Sequence, residues 1–557
     1  MKTVALKQYI SSAMIWKCVL PIVLGLSVFV YWRYSYPSMM AYQEQFQLFL
    51  FDSHYLAERV GLPGGVVTYV AEFLTQFYNT PFFGALVISL LMVGAQQLSW
   101  LLMCANKREG AGVAAYILSF MPSLVLWRMM SDESLLLAYV VSFVVVQAAM
   151  SFAPKKKMPL IVYAIFAIPI FYWLAGPMAV MLAVYIGLQL LRASDRHLEG
   201  ISFVVLSVVY VILCIVLSAY LLPYPTVRLF TGIFYYRSIE VPMLVMCVVP
   251  MLLLLLTIVA AIPMKAKAAT VIAVAAVAIA AFMLKGAMDE QKYELMDYDC
   301  LVRQQRWADI VAKAEKKSPN LPMSVCATNI ALAMTGQLGD RCFDFFQHGT
   351  EGLLPEFERN FNTILVTGDT FFMLGLINTA QRFAFEAMEA IPNYNKNSRV
   401  IKRLAETNLI NGQYKVAEKY LMMLQKTIFY KKWADKRMEM IHNPKLIDAH
   451  PMYGYLRRVR LKDDLLFSDK EMDKFCGQLV MHNKENVVAI QYLLMYPLLN
   501  KDLNTFMQYY GYVQSVAKYN SRACDEAVAL AYAQQGKLTQ AQIERYKNSS
   551  VWRYFLK

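Results

Sequence analysis

Nine apolar stretches fill most of the first 285 residues, and they constrain the fold more than any other feature of this chain. A helix of about 20 apolar residues can cross the hydrocarbon core of a bilayer, where every backbone polar group must be paired within the segment. We therefore predict an all-α chain that begins with a polytopic membrane domain of about nine spans over residues 1–285. The stretches lie near 14–31, 81–103, 112–126, 135–152, 158–173, 177–191, 201–222, 241–262 and 268–284.

The density of charged residues changes after residue 285. Residues 1–285 carry 18 Lys and Arg and 10 Asp and Glu, whereas residues 286–557 carry 36 and 30. We therefore expect residues 286–557 to form a second, water-soluble domain. The formal net charge of +14 is spread over both parts without a long basic run, so the sequence predicts no nucleic-acid partner.

The placement of Lys and Arg predicts the orientation in the membrane, because basic residues are enriched in cytoplasmic loops. Nine alternating crossings place 12 basic residues, among them Lys2, Lys7 and Lys17, on the side of the amino terminus and six on the opposite side. We therefore predict a multi-pass membrane protein with a cytoplasmic amino terminus and a carboxy-terminal domain outside the cytoplasm. The location of that domain reverses if one short stretch re-enters the membrane instead of crossing it.

Four segments of the second domain share one pattern. Gly336, Gly375, Gly412 and Gly536 are each followed two residues later by an aromatic or aliphatic residue, and three of them by Ala five residues later. Glycine permits a tight turn between two helices, and the residues that follow can pack the second helix on the first. The pattern predicts helix pairs joined by glycine turns.

These segments resemble the tetratricopeptide repeat (TPR), in which two helices are joined by such a turn. The resemblance covers about 300–430 and 525–550, and it implies a TPR-like α-solenoid whose concave surface binds an extended peptide or a partner domain. A generic helical bundle is the alternative interpretation. Between the two ranges, Arg457, Arg458 and Arg460 form a charge cluster that we expect on a solvated face.

The nine cysteines show no CxxC motif and no ligand spacing with the six histidines, so the sequence predicts no structural metal site. Cys326 and Cys342 flank a predicted helix turn. They either pair as a disulfide in an oxidising compartment or stay as buried thiols, and small buried cysteines are common in protein cores.

About 45 residues separate the first two apolar stretches, too many for a simple turn. Hydrophobic residues at helical spacing predict interfacial amphipathic helices over 42–51 and 66–77, with 62–65 as the break between them. Ionisable residues held at a bilayer surface against apolar walls are usually paired or functional. The outer connections carry the candidates Glu44, Asp52, Arg128, Asp132, Glu133, Arg228 and Arg237.

This layout resembles the GT-C superfamily of membrane glycosyltransferases, which use sugars carried on polyprenyl phosphates. The matching features are a cytoplasmic amino terminus, a long first outer loop and a second outer loop that both carry acidic residues, and a carboxy-terminal outer domain. The resemblance implies that four carboxylates are catalytic: Asp52, Glu44, Asp132 and Glu133. It also implies that three arginines bind the donor phosphate: Arg228, Arg237 and Arg128.

The paired acidic motif of that superfamily is absent from the first outer loop, where QEQFQ supplies one carboxylate. The resemblance therefore leaves open whether a divalent cation takes part, and we assign no metal ligands. The two-part chain also resembles an uncharacterised bacterial family of membrane proteins with TPR domains.

Each candidate also has a structural interpretation. Asp52 can cap the turn that follows it, Glu44 can face solvent on an amphipathic helix, and Asp132 with Glu133 can be amino-terminal acids of a helix. The arginines can extend to lipid head groups.

We expect the chain to transfer a sugar or glycan from a polyprenyl-phosphate-linked donor to an extracytoplasmic acceptor, with the TPR domain binding a protein or glycan acceptor or a partner. The alternative is a non-catalytic, membrane-anchored TPR scaffold for envelope assembly or secretion partners. A transporter agrees less well with apolar stretches that lack interior charges. The sequence contains no motif typical of soluble hydrolases, NTPases, zinc proteases or dehydrogenases.

Overall fold

The computed structural model describes residues 2–45, 47–106, 112–231, 241–262, 265–355, 361–390, 396–462 and 471–556. Every regular element in these ranges is a helix. The chain divides into two compact units: the first runs from Met1 to Asp289, and the second begins at Glu290.

The described part of the first unit contains fourteen α-helices. They are α1 (Lys2–Val30), α2 (Pro37–Glu44), α3 (Ser53–Val60), α4 (Gly65–Thr75), α5 (Pro81–Asn106), α6 (Gly112–Leu118), α7 (Met121–Met130), α8 (Leu137–Ser151), α9 (Lys157–Ala175), α10 (Ala179–Ala193), α11 (His197–Leu221), α12 (Thr226–Thr231), α13 (Met243–Val259) and α14 (Ala266–Phe282). One turn of π-helix (Tyr31–Ser35) continues α1, and 3-10 turns follow α4 (Gln76–Asn79) and α9 (Gly176–Met178).

Five helical segments of the described residues are long and apolar enough to cross a membrane: Trp16–Ser35, Pro81–Ala105, Gly112–Met130, Lys157–Ala193 and His197–Leu221. All nine predicted stretches contain helix, but α8, α13 and α14 have only 15, 17 and 17 residues. One long segment, Lys157–Ala193, joins two of the predicted stretches through a 3-10 turn. By length, the structure therefore has five membrane-length helices, and several apolar helices are compatible with membrane insertion.

Short polar contacts join the ends of helices in the first unit. The Tyr116 hydroxyl donates to the backbone oxygen of Lys17 at 3.1 Å, and the Lys17 amine lies 5.2 Å from the ring centre of Trp100. The Lys157 amine donates to Glu199 Oε1 at 2.6 Å. These contacts connect α1 with α5 and α6, and α9 with α11.

Hydrogen bonds between buried side chains also link the apolar helices. Gln96 Nε2 donates to Ser119 Oγ, and Gln147 Nε2 donates to Ser99 Oγ, both at 2.9 Å. The Ser123 hydroxyl donates to the backbone oxygen of Met92 at 2.8 Å. Such bonds between apolar helices add specificity to packing that small and apolar side chains provide.

The second unit contains α15 (Glu290–Arg303), α16 (Trp307–Lys316), α17 (Pro322–Met334), α18 (Leu338–Arg341), α19 (Phe361–Leu374), α20 (Ile377–Ala390), α21 (Ser398–Asn411), α22 (Tyr414–Gln425), α23 (Lys431–His442), α24 (Lys445–Ala449), α25 (Pro451–Val459), α26 (Met472–His482), α27 (Val487–Leu499), α28 (Leu503–Val516), α29 (Arg522–Gln534), α30 (Gln540–Tyr546) and α31 (Ser550–Leu556). Nearly all residues of helix α27 are buried. It lies between α26 and α28 and also contacts α17, α18 and α19.

The four predicted glycine turns are present. Gly336, Gly375, Gly412 and Gly536 have φ values of 72°, 94°, 79° and 69°, and each lies between two helices. Residues other than glycine rarely adopt this left-handed backbone conformation. Leu338 and Ile377, two residues after their glycines, are fully buried, so these turns place the following helix against the core.

The arginine cluster of α25 and its end does not form the solvated face expected from the sequence. Arg457 Nε donates to the backbone oxygen of Ile410 at 3.2 Å, and Arg460 Nη1 donates to Asn411 Oδ1 at 2.8 Å. Arg458 is exposed. Two of the three arginines therefore pair with the carboxy-terminal end of α21, where helix carbonyls lack partners within the helix.

Cys326 and Cys342 are fully buried free thiols. Cys326 Sγ donates to the backbone oxygen of Leu353 at 3.3 Å. Burial raises the pKa of Cys326 to about 12 and also raises the pKa of Cys342. Of the two interpretations of this pair, the structure has the buried thiols.

Candidate functional site

Helix α2, which follows the π-helical turn at the end of α1, is hydrogen-bonded to the connection between α7 and α8. Gln43 Nε2 donates to the backbone oxygens of Glu133 and Leu135, both at 3.2 Å. The next residue, Glu44, is only 3% exposed. Glu44 therefore lies on a helix that is hydrogen-bonded to the segment carrying Asp132 and Glu133, and the expectation that Glu44 faces solvent is wrong.

A second contact holds the same two segments. The hydroxyls of Tyr31 and Ser131 lie 3.1 Å apart, and the ring of Tyr31 packs on the edge of Trp127 with centroids 5.2 Å apart. The π-helical turn that begins at Tyr31 widens the end of α1 by one residue, a feature often found at functional sites. The end of α1 thus packs against the end of α7, next to the acidic connection.

Asp132 shapes the turn in which it lies. Its Oδ1 accepts the backbone N–H of Ser134 at 2.9 Å, and the side chain is exposed. Helix α8 begins five residues later at Leu137, so Asp132 is not an amino-terminal acid of that helix. Glu133 is half-buried. The carboxylate of Asp132 stabilises a local turn in the way that Asp often does in loops.

The three arginines have different positions. Arg128 Nη1 donates to the backbone oxygen of Ala287 at 3.0 Å, which joins α7 to the end of the first unit. Arg228 is half-buried in α12. Arg237 lies outside the described residues. A guanidinium has five N–H donors, so the single bond from Arg128 Nη1 leaves donors that can serve an anion.

Asp52 caps α3. Its Oδ1 accepts the backbone N–H of His54 at 2.8 Å, and its backbone is extended, with φ −143° and ψ 135°. This geometry is typical of a helix N-cap. Of the two interpretations of Asp52, the capping contact is present in the structure.

The first predicted amphipathic helix, 42–51, is wrong. Helix α2 ends at Glu44, α3 begins at Ser53, and residues 47–52 are not helical. Leu48, Phe49 and Leu50 are all buried in succession, which a one-sided helix would not allow. The second predicted helix and its preceding break are confirmed by α4 and by Gly64, which has φ 78°.

Aromatic side chains enclose the segment before α3. The ring of Phe49 lies within 5.5 Å of four others, centroid to centroid: Phe51, Tyr55, Tyr69 and Phe73. Most of these pairs meet edge to face, the arrangement that aromatic quadrupoles favour. The extended segment is therefore held by α3 and α4 on its flank.

A buried ion pair lies between α3 and α4. Arg59 Nε donates to Glu72 Oε2 at 2.8 Å, and the Tyr55 hydroxyl donates to the same oxygen at 2.5 Å. Burial raises the pKa of Tyr55 well above its usual range, and the Glu72 carboxylate raises it further. Although burial opposes its charge, the Glu72 carboxylate and Tyr55 raise the pKa of Arg59. The group is consequently a fixed, charged pair with a neutral phenol.

Sequence reasoning gave this pair no role. The sequence has one cation before the predicted break and one anion after it, both among apolar residues. A helical hairpin with its turn at this break would bring the two charges together. Gln47 adds to the arrangement, because its Nε2 donates to the backbone oxygen of Glu72 at 3.1 Å. The pair and Gln47 together fix the chain that follows Glu44.

The loop also docks on the break between α9 and α10. The Gly64 N–H donates to the backbone oxygen of Trp173 at 2.8 Å, and Trp173 Nε1 donates to the backbone oxygen of Val60 at 3.0 Å. Gly176 has φ 66°, and a Cβ on Gly64 would lie 3.2 Å from its Cα. Two glycines are needed here, because the backbones approach closely in a conformation that other residues rarely adopt.

The described residues contain no group of three or more His, Cys, Asp or Glu side chains arranged to hold a metal ion. Asp132 and Glu133 therefore do not form part of such a group within the described ranges. What the arrangement offers is a buried carboxylate at Glu44, on a helix hydrogen-bonded to a connection with two further carboxylates, and one arginine in the last turn of α7.

Neither the curated proteins nor the solved structures include a match to this chain. One family model does match, and it covers residues 12–555, which include nearly all of both units. Its description is "Family of unknown function (DUF6057)". The chain therefore belongs to the DUF6057 family.

Proposed function

We propose that this chain transfers a sugar or glycan from a polyprenyl-phosphate-linked donor to an acceptor outside the cytoplasm, with Glu44 as the general base. The observation that carries the proposal is the burial of Glu44 on a helix hydrogen-bonded through Gln43 to the connection that holds Asp132 and Glu133. The resemblance of the loop layout to GT-C glycosyltransferases supports the same reaction class.

In this reaction the acceptor hydroxyl attacks the anomeric carbon of the donor sugar. As the new carbon–oxygen bond forms, the hydroxyl proton passes to Glu44, and the bond from that carbon to the phosphate oxygen breaks. The polyprenyl phosphate leaves with the bonding electron pair. Asp132 and Glu133 assist near the acceptor, and Arg128 and the half-buried Arg228 bind the phosphate by charge-assisted hydrogen bonds.

The proposal includes nine membrane crossings in a bacterial inner membrane, with the amino terminus in the cytoplasm and the second unit in the periplasm. The pair Lys157–Glu199 supports two crossings within Lys157–Ala193. A single crossing would leave these two residues on opposite faces of the bilayer. The contact of Gly64 with Trp173 agrees as well, because nine crossings place both on the outer side.

The second unit has the role of binding an acceptor or partner as a TPR-like solenoid. Helix pairs joined by left-handed glycines, as at Gly375 and Gly412, support this interpretation. Stacked helix pairs form extended concave surfaces that suit a chain-like ligand.

The test compares envelope glycans and polyprenyl-linked intermediates in a strain that lacks the gene. The strain receives wild type, Glu44→Gln or the control Glu58→Gln, whose side chain is half-buried on α3 beside His54. Loss of a general base lowers a rate by about 100-fold or more. We therefore expect Glu44→Gln to leave the lipid-linked donor accumulated and its glycan missing, at wild-type protein level, while Glu58→Gln restores both.

The second candidate function is the non-catalytic membrane-anchored scaffold. The carboxylates of Asp52 and Asp132 favour it, because both accept backbone N–H groups and so have structural roles. Full rescue by both Glu44→Gln and Asp52→Asn would contradict transfer and support the scaffold, since a scaffold does not need a base at either position.

A further inference from the structure

Three buried carboxylates of the second unit are fully engaged by two arginines and a tyrosine. Arg399 on α21 donates from Nη1 to both oxygens of Asp299 at 2.7 and 2.9 Å, and from Nη2 to Asp369 Oδ2 at 2.5 Å. Arg403, one turn later, donates to Asp369 Oδ1 at 2.7 Å. The two arginines therefore share one carboxylate and tie α15 and α19 to α21.

The third carboxylate, Glu406, is also occupied at both oxygens. Arg403 Nη1 donates to Oε2 at 2.9 Å, and the Tyr453 hydroxyl donates to Oε1 at 2.9 Å. The guanidinium of Arg403 lies 3.6 Å above the ring of Phe372. Buried charges need such complete pairing, because an unpaired charge away from water is strongly unfavourable.

Two further cations adjoin this network without a carboxylate of their own. The Lys402 amine lies 5.1 Å from the ring centre of Trp433, and the Arg437 guanidinium lies 4.7 Å from the same ring. Arg437 Nε has one weak bond, 3.4 Å long, to the Tyr453 hydroxyl. Within the described ranges, neither cation has an ion pair.

The surroundings of Lys402 disfavour its charge. Burial lowers the pKa of Lys402, and the nearby Arg403, Arg437 and Arg303 lower it further, although Glu406 acts in the opposite direction. The three carboxylates of the network are already engaged, so an added carboxylate would supply the counter-ion that Lys402 and Arg437 lack within the described ranges.

We propose that Lys402, Trp433 and Arg437 form a binding site for a carboxylate side chain of an acidic peptide. The amine, the outer guanidinium nitrogens and the indole N–H are all donors, and all three residues are half-buried, so a ligand can reach them. An Arg fork matches the two oxygens of a carboxylate.

Exposed apolar side chains on α22 and in its connection to α23 favour a peptide over a free anion. Met422 on α22 and Ile428 in the following connection are 53% and 45% exposed, and α22 packs against α23, which carries Trp433. A peptide that alternates acidic and apolar residues can use both features. This site is separate from the proposed transfer chemistry and does not depend on it.

The test measures binding of a fluorescein-labelled peptide of Glu, Ala and Leu to the full-length protein in detergent micelles by fluorescence anisotropy. A matched peptide with Gln in place of Glu is the ligand control. The variants are Arg437→Gln, Lys402→Met and Trp433→Phe, and the control Lys436→Gln removes an exposed cation from the same helix. Thermal unfolding curves establish that each variant is folded.

We expect the acidic peptide to bind and the glutamine peptide not to bind. Arg437→Gln and Lys402→Met should each weaken binding by about tenfold or more, and Trp433→Phe by severalfold, whereas Lys436→Gln should change it by less than about twofold. If Lys402→Met does not fold, the other two variants decide. Glu44→Gln should bind the peptide like wild type, which separates this site from the transfer reaction.

Three results would overturn the proposal. Equal weakening by Lys436→Gln would mean diffuse attraction to surface charge. Equal binding of the glutamine peptide would mean that no carboxylate is recognised. Tighter binding of inorganic phosphate or of a glucuronate oligosaccharide than of the acidic peptide, lost in the same variants, would assign the site to a different ligand.

Discussion

Arg59 and Glu72 form an ion pair across the turn that separates α3 from α4, with Arg59 Nε 2.8 Å from Glu72 Oε2. The two residues are 6% and 2% exposed. A charge in this position depends on its partner, because water cannot replace it. The pair therefore holds α3 against α4.

Removal of one member of this pair should destabilise the first unit. We expect Glu72→Gln to lower the free energy of unfolding by about 3–5 kcal/mol, because the buried charge of Arg59 loses the carboxylate of Glu72. The double variant Arg59→Met/Glu72→Leu should be less destabilised than the single variant. Thermal unfolding of the full-length protein in detergent micelles measures the stability of both variants. A double variant less stable than Glu72→Gln would contradict the expectation.

Asp52 should act through its cap. Because Asn also accepts the backbone N–H of a capped helix, Asp52→Asn should retain stability, whereas Asp52→Ala should lose about 1 kcal/mol. Both variants should restore the envelope glycan in the gene-deletion strain. Failure of Asp52→Asn to restore it, together with rescue by Glu44→Gln, would transfer the role of general base from Glu44 to Asp52.

The buried network of the second unit should make that unit sensitive to acid. Although burial alone would raise it, the pKa of Asp369 is lowered by Arg399 and Arg403. The folded state therefore binds fewer protons at this group than the unfolded state does. The stabilisation is complete above the unfolded pKa of about 4 and is lost as the pH falls through the lower folded value.

Unfolding temperatures measured between about pH 3 and pH 7 test this expectation, because this range includes the unfolded pKa. Asp369→Asn should reduce the loss of stability at low pH, at the expense of lower stability at pH 7. The control is Asp309→Asn, whose exposed carboxylate pairs with Arg306 at 2.6 Å. The network is not the source of acid sensitivity if Asp369→Asn and wild type lose the same stability on acidification.

Reporter fusions can separate nine crossings from fewer. With nine crossings, a fusion ending at Lys156 should be cytoplasmic and one ending at Gly176 periplasmic. Alkaline phosphatase is active only in the periplasm and green fluorescent protein fluoresces only in the cytoplasm, so the two reporters should give opposite results at each site. A periplasmic Lys156 would contradict four crossings before it, and the proposed orientation of the later helices would need revision.

Local features of the fold could be predicted from the sequence. Helix in the apolar stretches follows from their length and composition, and the left-handed turns at Gly375 and Gly412 follow from the short pattern around each glycine. The break at Gly64 has the same kind of local cause. Features that depend only on neighbouring residues are encoded where they occur.

Long-range features could not be predicted in this way. Phe46, Phe49 and Leu50 suit a helix by spacing, but residues 47–52 are not helical, and rings from α3 and α4 surround Phe49. Likewise, the charged neighbours of Arg457 in the sequence predict exposure to solvent. Its hydrogen-bond partner, the backbone oxygen of Ile410, lies 47 residues earlier in the chain. The pair Arg59–Glu72 required knowledge of how α3 folds back on α4.

Part of the candidate site was accessible from the sequence. Glu44 was a candidate because it lies in a long outer loop, but its burial depends on Gln43 reaching the carbonyls of a connection about 90 residues later. The residue type and position of Asp52 agreed with two roles, a general base and the cap of the helix that follows. Only the direction of its carboxylate toward the His54 N–H identifies the cap.

The contact between Gly64 and Gly176 has a mechanical consequence. No side chain separates the two backbones, so a change of rotamer cannot let one segment slide over the other. Two hydrogen bonds of Trp173, with Gly64 and with Val60, also hold the segments together. In any motion of the first unit, we expect residues 60–64 and the break between α9 and α10 to move together. A tilt of α9 is therefore transmitted directly to the loop that carries the buried ion pair.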